Sequence, residues 1–346
     1  MKTTSAVVTG PRRIEYIEEE LPALGPHEIL IKTDSVGLCH TDLPVYQFKQ
    51  AFGISDRGYR ECQKVFGPTK LGHEPVGTVV DVGREVTRFA VGDHVSGNYP
   101  QAFATYRVVP DDTVLVKLPE LRTDHRLCIA EPMGCVTNIL HYMNQDAPES
   151  VGVIGCGYMN LMVLSALRAQ GVKKLIAVDV RDSRLELARR FGATLCLNSA
   201  KQDIVREVCE LTDGRFLDSV VEMSGTLKGL DSACSIIKFA KKNGLPTGEY
   251  NGRGRIVITS VYASEEVFPM SLGYELVLRC PILDAAHPMC GVSVLQNDEE
   301  AVRAFADGSI PMDEMISHRF NFNELDKGFE MLEHPTEDYI KGVVFF

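Results

Sequence analysis

The stretch that most constrains this chain is residues 151–179, VGVIGCGYMNLMVLSALRAQGVKKLIAVD. Val151-Gly152-Val153-Ile154 is an unbroken apolar run of the kind a fully buried parallel strand shows, and it ends in Gly155-Cys156-Gly157. Over residues 159–170 apolar side chains recur at helical spacing (Leu161, Leu164, Ala166, Leu167), and Gly171 closes the helix. Leu175-Ile176-Ala177-Val178 is a second buried strand, ending on Asp179. Together these form one strand–helix–strand unit with a parallel crossover. Its turn offers backbone N–H groups, those of Tyr158 and Met159 included, at a helix N-terminus, which suits a pyrophosphate. Asp179, about 20 positions beyond the glycines, is placed to accept hydrogen bonds from both ribose hydroxyls of a dinucleotide. The carboxylate repels a 2′-phosphate, so NAD is expected over NADP, although Arg181 and Arg184 follow and work against that preference. Candidate cofactor contacts are Gly155, Gly157, Tyr158, Met159, Asp179 and Arg184. The third glycine of the G-x-G-x-x-G pattern is replaced by Asn160, which predicts a wider helix–strand contact or a side chain turned to the phosphates.

A length of 346 residues suggests about two domains with ample core. Hydrophobic content of 45% and charged content of 24% are those of a soluble globular protein. The net charge of −11 is spread without long runs, which argues against nucleic acid or an anionic membrane as partner. The first twenty residues carry no apolar core of signal-peptide length, and no stretch reaches the length of a membrane span. Ten cysteines without a regular framework fit free thiols in a reducing compartment, and a cytoplasmic location is expected. There is no C-x-x-C pair, which excludes a thiolate-rich zinc knuckle.

Upstream of the central unit the chain reads as short strands and turns: Ala6-Val7-Val8, residues 14–17 and residues 28–32, punctuated by Gly10-Pro11 and Gly25-Pro26. A long polar segment covers residues 46–69, strands resume over 78–82 and 91–109, and residues 127–141 read as a helix. Beyond Asp179, helices over 183–191, 200–212 and 228–239 alternate with strands over 193–197, 219–223 and 255–259, followed by a strand at 276–278. From about His287 the pattern loosens, and residues 342–346 read as a final strand. The expected class is α/β, a β-rich domain interrupted by a doubly wound parallel-sheet domain.

Candidate metal ligands lie in three stretches: Cys39 in Gly37-Leu38-Cys39-His40-Thr41-Asp42, His73 in Gly72-His73-Glu74, and Glu131 in Ala130-Glu131-Pro132. A thiolate, an imidazole and a carboxylate suit Zn²⁺ and leave a fourth position open, as catalytic zinc requires. Singly, each has an ordinary structural reading: a small buried hydrophobe, a satisfied histidine, a helix start. Taken together, however, Gly72-His73-Glu74-x-x-Gly77-x5-Gly83-x-x-Val86 resembles the full zinc signature of the zinc-dependent medium-chain alcohol and polyol dehydrogenases. The 39–42 stretch, Gly92-Asp93-His94-Val95, the central unit and His318-Arg319-Phe320 follow in the order of that family.

The resemblance covers nearly the whole chain. It implies a GroES-like β-barrel catalytic domain over 1–139 and 286–346, and a Rossmann NAD-binding domain over 140–285. It also implies one catalytic Zn²⁺ per chain, in the cleft between them, held by Cys39, His73 and Glu131. In that chemistry zinc acts as a Lewis acid that lowers the pKa of an alcohol, so that hydride passes to the nicotinamide. By the same resemblance Thr41 handles the hydroxyl proton, Asp42 braces a His73 ring nitrogen, His40 touches the pyrophosphate, and Glu74 acts directly or through water. The Glu-Pro pair is similar to the polyol, sorbitol-type branch. Two features depart from the family: Pro44 stands where many alcohol dehydrogenases have a relay histidine, and the four-cysteine lobe of a second, structural zinc is missing. The 34 positions from Cys39 to His73 include a polar surplus over 46–69, expected to select substrate.

The expected function is NAD-dependent oxidation of a secondary alcohol on a small polar molecule: a polyol, sugar, cyclitol or amino alcohol. The alternatives are an aliphatic or primary alcohol dehydrogenase, or a zinc-free NAD-binding module of the same fold. Family resemblance further implies a homodimer or homotetramer, paired through the last Rossmann strand within residues 272–283, where Val277, Leu278 and Ile282 are apolar.

Overall fold

The computed structural model describes residues 1–48, 69–144, 147–241, 248–260, 270–286 and 293–346. Most of the polar surplus, residues 49–68, lies outside the described residues. The chain divides into two compact units, 1–134 with 294–307 and 311–346, and 135–293 with 308–310. No helix among the described residues is long and apolar enough to cross a membrane.

The first unit opens with β1 (Lys2–Gly10), β2 (Arg13–Glu20) and β3 (Glu28–Gly37). A 3-10 turn, His40–Asp42, and the short α1 (Leu43–Tyr46) follow. Then come β4 (Thr69–Lys70), β5 (Pro75–Val82), β6 (His94–Gly97), β7 (Tyr106–Pro110) and β8 (Leu115–Lys117). Within β3, Ile29 and Ile31 alternate with outward residues and are fully buried, packing with Val79, Val95, Phe103 and Leu115. Each such side chain contributes about 1.5–3 kcal/mol by leaving water. Helix α2 (Ala130–Asn144) begins in this unit, and its second and third residues are Glu131 and Pro132. Proline tolerates the first turn because its missing N–H would have no helical partner there.

The second unit runs β9 (Ser150–Ile154), α3 (Tyr158–Ala169), β10 (Lys174–Asp179), α4 (Asp182–Arg190), β11 (Leu195–Asn198), α5 (Ile204–Leu211), β12 (Ser219–Glu222), α6 (Leu227–Ile236), β13 (Arg255–Ile258), α7 (Met270–Arg279) and β14 (Ile282–Ala285). Its strands form one parallel sheet in the order β11-β10-β9-β12-β13-β14. The chain reverses its lateral direction between β9 and β12, the switch point at which such sheets bind ligands at the carboxyl ends of the strands.

Two expectations need correction here. Residues 276–278 belong to helix α7, where Glu275 and Arg279 pair at 2.6 Å one turn apart. Cys280, at φ 50°, ends that helix and Pro281 follows, so the strand starts only at Ile282. The helix expected over 200–212 begins only at Ile204, because the Asp203 carboxylate caps it by accepting the Val205 and Arg206 N–H groups.

The chain then returns to the first unit with α8 (Val294–Asp307), which the sequence pattern had not revealed, followed by β15 (Ile316–Asn321), α9 (Leu325–Glu333) and β16 (Lys341–Phe345). The larger sheet of this unit runs β15-β16-β3-β5-β6-β8, with β7 also paired to β3. Its register sets up the candidate site. Val36 pairs with Pro75, and Val343 with Gly37. Gly37 N donates to Glu74 O at 3.0 Å, and Leu38 N to Gly342 O at 3.0 Å. The end of β3 and the starts of β5 and β16 are thereby brought side by side.

Candidate functional site

Three strand ends deliver the side chains. Cys39 leaves β3, His73 and Glu74 enter β5, and Lys341 opens β16. Ligand atoms of Cys39, His73 and Glu74 all lie within 4.8 Å of one another. The Thr41 hydroxyl donates to Cys39 Sγ at 3.2 Å and stands 3.3 Å from His73 Nε2. On the far side of the ring, His73 Nδ1 lies 3.3 Å from Oδ2 of the buried Asp42. That contact holds a proton on Nδ1 and turns Nε2 towards Cys39 and Thr41, the edge from which a metal would displace the second proton.

Glu74 is almost fully buried, and its carboxylate accepts from Lys341 Nζ at 2.5 Å. Lys341 donates also to the Leu38 carbonyl at 3.0 Å. Gly37 is required for space: a Cβ there would fall inside the Glu74 carboxylate.

Burial and close pairing shift the three groups of this cluster. Burial pushes the Cys39 thiol up, and Glu74 adds to the effect. Burial alone would lower His73, but its hydrogen bonds with Asp42 and Cys39 outweigh that and raise it to about 12. Burial would likewise raise Glu74, yet Lys341 and His73 hold it below the usual carboxylate range. A divalent ion that displaced the protons of the Cys39 thiol and the His73 ring would meet a thiolate, an imidazole and a carboxylate, a donor set suited to Zn²⁺.

Glu131 does not join this cluster. The start of α2 holds it in the first helical turn, where Asp298 of α8 is one of its electrostatic neighbours. Burial, with Glu131 adding to it, raises the Asp298 carboxyl to about 8. His40 is exposed on the 3-10 turn. Asp34, His94 and His125 make a second group of metal-binding residue types. There the two imidazoles stack with centroids 3.7 Å apart and planes within 17°. Lone pairs that lie in parallel ring planes do not converge on one ion, so the group is a stacked pair bonded to Asp34 and Thr78.

In the second unit, Gly155 adopts φ +82°, and a Cβ there would press on the Ser224 backbone at 3.0–3.1 Å. Gly157 is the N-cap of α3, no side chain caps that end, and a Cβ on Gly157 would meet nothing within 4 Å. The N–H groups that open α3, at Tyr158 and Met159, thus border open space beside a glycine turn, as a pyrophosphate requires. Asp179 ends β10 and is fixed by the N–H groups of Cys156 (2.8 Å) and Arg181 (2.9 Å). The arginine set against this carboxylate is Arg181, with Nε at 3.4 Å, while Arg184 is buried in α4. Asn160 is fully buried and donates to the Ile154 and Gly155 carbonyls at 3.1 and 2.7 Å. It braces the turn from within, so the alternative of a side chain turned to the phosphates is not adopted.

The alcohol dehydrogenase GroES-like domain family matches residues 25–120, and the zinc-binding dehydrogenase family matches residues 159–242. The chain belongs to the zinc-dependent medium-chain dehydrogenase family. It is an oxidoreductase of the zinc-type alcohol dehydrogenases, with NAD and zinc as cofactors. It is 26% identical to an erythritol/L-threitol dehydrogenase of Mycolicibacterium smegmatis, over 97% of this chain and 96% of that one. It is 26% identical to an L-threonine 3-dehydrogenase of Pyrococcus abyssi, over 92% and 91%. Its fold is similar to that of L-idonate 5-dehydrogenase from Escherichia coli, with a TM-score of 0.81 at 19% identity over 100% and 99% of the two chains.

Sequence reasoning missed Lys341 and the spatial role of Gly37. Lys341 lies 267 positions from Glu74, and no local pattern marks a lysine at the start of a C-terminal strand as a buried counter-ion.

Proposed function

We propose that this dehydrogenase oxidises a secondary alcohol carried by a small polar molecule, of the polyol, sugar, cyclitol or amino-alcohol type. What supports the reading is near-full-length similarity to relatives named for erythritol/L-threitol and L-threonine. The catalytic domain, proposed over residues 1–139 and 286–346, is the proposed seat of metal and alcohol. The Rossmann domain, proposed over 140–285, is the proposed seat of NAD.

In this proposal Cys39, His73 and Glu74 hold the zinc, which when bound supplies a Lewis acid for the alcohol oxygen. Glu74 replaces Glu131 as the proposed carboxylate ligand, because its oxygen shares the cluster with the thiol and the imidazole. Asp42 holds a proton on His73 Nδ1 and so leaves Nε2 as the nitrogen for the metal. Thr41, an exposed hydroxyl bonded to this cluster, takes the proton of the alcohol and passes it to solvent; with Pro44 behind it, no imidazole at that position continues the path. Lys341 balances the buried Glu74 charge and holds the carboxylate in place. Gly155, Gly157, Tyr158, Met159 and Asp179 are the proposed NAD contacts, and His40 a proposed pyrophosphate contact. Arg184, buried in α4, is proposed to act through the fold of the Asp179 region.

A panel of alcohols assayed by NADH formation tests this. Small secondary alcohols bearing a neighbouring hydroxyl or amine should exceed ethanol and benzyl alcohol in kcat/KM by about 100-fold, roughly the 2.7 kcal/mol that recognition of one polar group supplies. Equal or better oxidation of simple primary alcohols would establish the aliphatic alternative. Assembly is a further part of the proposal. Strand β14 is the edge of its sheet, and Leu283 on it is exposed, as are Tyr274, Val277 and Leu278 on α7. A second copy pairing there would cover them. Light scattering should give a dimer or tetramer; a stable monomer at micromolar concentration rules it out.

A further inference from the structure

The second unit contains a cavity of about 260 Å³ at the amino ends of its parallel strands. Ser150 and Lys174, on its wall, are the first residues of β9 and β10, and Asp218 immediately precedes β12. The glycine turn and Asp179 stand at the opposite, carboxyl edge, about 16 Å away along a five-residue strand. This is therefore a different site from the dinucleotide cradle.

Four cationic side chains line the cavity, Lys174, Arg215, Lys238 and Arg253, against two carboxylates, Glu149 and Asp218, in a chain whose net charge is −11. Asp218 is already committed. One oxygen accepts from Lys238 Nζ at 3.0 Å, and the other from the Ser150 N–H and hydroxyl at 3.1 and 2.9 Å. Glu149 is exposed. The remaining cations are anchored on backbone carbonyls. Lys174 Nζ reaches Leu211 O at 3.4 Å, and Arg215 Nε reaches Thr212 O at 3.2 Å. Arg253 holds Cys280 O and Pro281 O at 2.7 Å each.

Closing the end of α5 accounts for one donor on Lys174 and one on Arg215. Arginine carries five N–H donors and lysine three, so each retains others. These anchors fix the stems and leave charged donors around an open volume. One wall is apolar, with Phe216 and Pro148.

We infer that this cavity is a binding site for a small phosphorylated compound, separate from the cofactor and alcohol sites. A doubly charged oxyanion matches several cations and forked guanidinium donors better than a single carboxylate does. The volume lies below the 300–1,000 Å³ usual for drug-sized ligands, which admits a phosphate on a small organic body and excludes a second dinucleotide. The Phe216 and Pro148 wall takes the organic part. The site calls on no zinc and no NAD, so it is independent of the proposed reaction.

Calorimetric titration with phenyl phosphate and with inorganic phosphate, in the presence of saturating NADH, tests the inference. Phenyl phosphate should bind with a Kd below about 1 mM, more tightly than inorganic phosphate, and more weakly as salt rises. Arg215→Gln and, separately, Lys174→Gln should each raise that Kd at least tenfold while leaving the melting temperature and the KM for NAD unchanged. Two substitutions keep the test valid should one of them disturb α5. Binding that neither substitution weakens, loss of binding when NADH is added, or no saturable heat up to about 10 mM overturns the inference.

Discussion

Replacing Lys341 with methionine isolates the contact on which the proposed metal site rests. Both partners of the Lys341–Glu74 pair are buried, with side-chain exposures of 6% and 2%. Methionine keeps the volume of the stem but removes the ammonium, leaving a carboxylate out of water with only the His73 ring, among the described residues, as a positive neighbour. Removing one partner of a buried pair costs about 3–5 kcal/mol. At about 2–4 °C per kcal/mol for a unit of this size, the metal-free protein should melt roughly 6–20 °C lower.

The sign with pH follows from the shift of Glu74. Lys341 holds this carboxyl below its usual range, so the pair stabilises the fold above the unfolded carboxyl pKa, near 4.5, and that contribution is lost as pH falls through the folded value. Without Lys341, burial drives the Glu74 pKa upward, and taking up a proton relieves the strain. The deficit of the variant should therefore be larger at pH 8 than at pH 5. Lys341→Met combined with Glu74→Gln should recover most of the loss, because the buried carboxylate is removed along with its partner. Zinc should stabilise the single variant more than the parent, since its charge replaces the ammonium beside Glu74. Calorimetric melts of the parent, the single variant and the double variant, each with and without a chelator, read these differences. A deficit under about 1 kcal/mol, or a double variant no more stable than the single one, refutes the reasoning.

Glu74→Ala should lower zinc content and turnover together, whereas Glu131→Ala should keep one zinc per chain; elemental analysis giving the reverse would restore Glu131 as the ligand. Asp179→Gly should narrow the preference of NAD over NADP in kcat/KM by at least tenfold, about 1.4 kcal/mol, while weakening NAD itself, and equal use of both cofactors by the parent would refute the ribose assignment. Asp298 has a folded pKa of about 8 against 3.8, so its burial penalty is absent below about pH 4, grows as pH rises and is complete above about pH 8. Asp298→Asn should therefore flatten the fall in unfolding free energy over that window, by at most about 6 kcal/mol, and an unchanged pH profile would show that the carboxyl titrates normally.

The parallel sheet and its glycine turn were legible because their signals are local. Buried strands write continuous apolar runs, α3 writes a 3.6-residue period, and the acid at the end of β10 stands at a distance set by one strand–helix–strand unit. The misplacement of residues 276–278 has an equally physical origin. A short apolar run fits a buried strand or one face of a helix, and only the Glu275–Arg279 pairing and the break at Cys280-Pro281 resolve it. Helix α8 went unread for a related reason: it buries Asn297 and Asp298 along with Ala301, Val302 and Phe305, which blurs its apolar stripe.

The sequence by itself determined the family, the two kinds of unit, the glycine turn with Asp179, and the pairing of a cysteine stretch with a His-Glu stretch. The glycine turn and Asp179 are spaced within one segment of backbone, whereas the pairing of the two ligand stretches came from family resemblance. Tertiary structure decided which carboxylate meets the thiol and the imidazole: the sequence favoured Glu131 as the ligand, and the placement of β5 and α2 puts Glu74 beside them instead. It also decided that Lys341 neutralises Glu74, that Gly37 makes room for that carboxylate, and that four cations from separate turns line one cavity. These are consequences of strand register and packing between residues up to 267 positions apart, where no local periodicity carries the information.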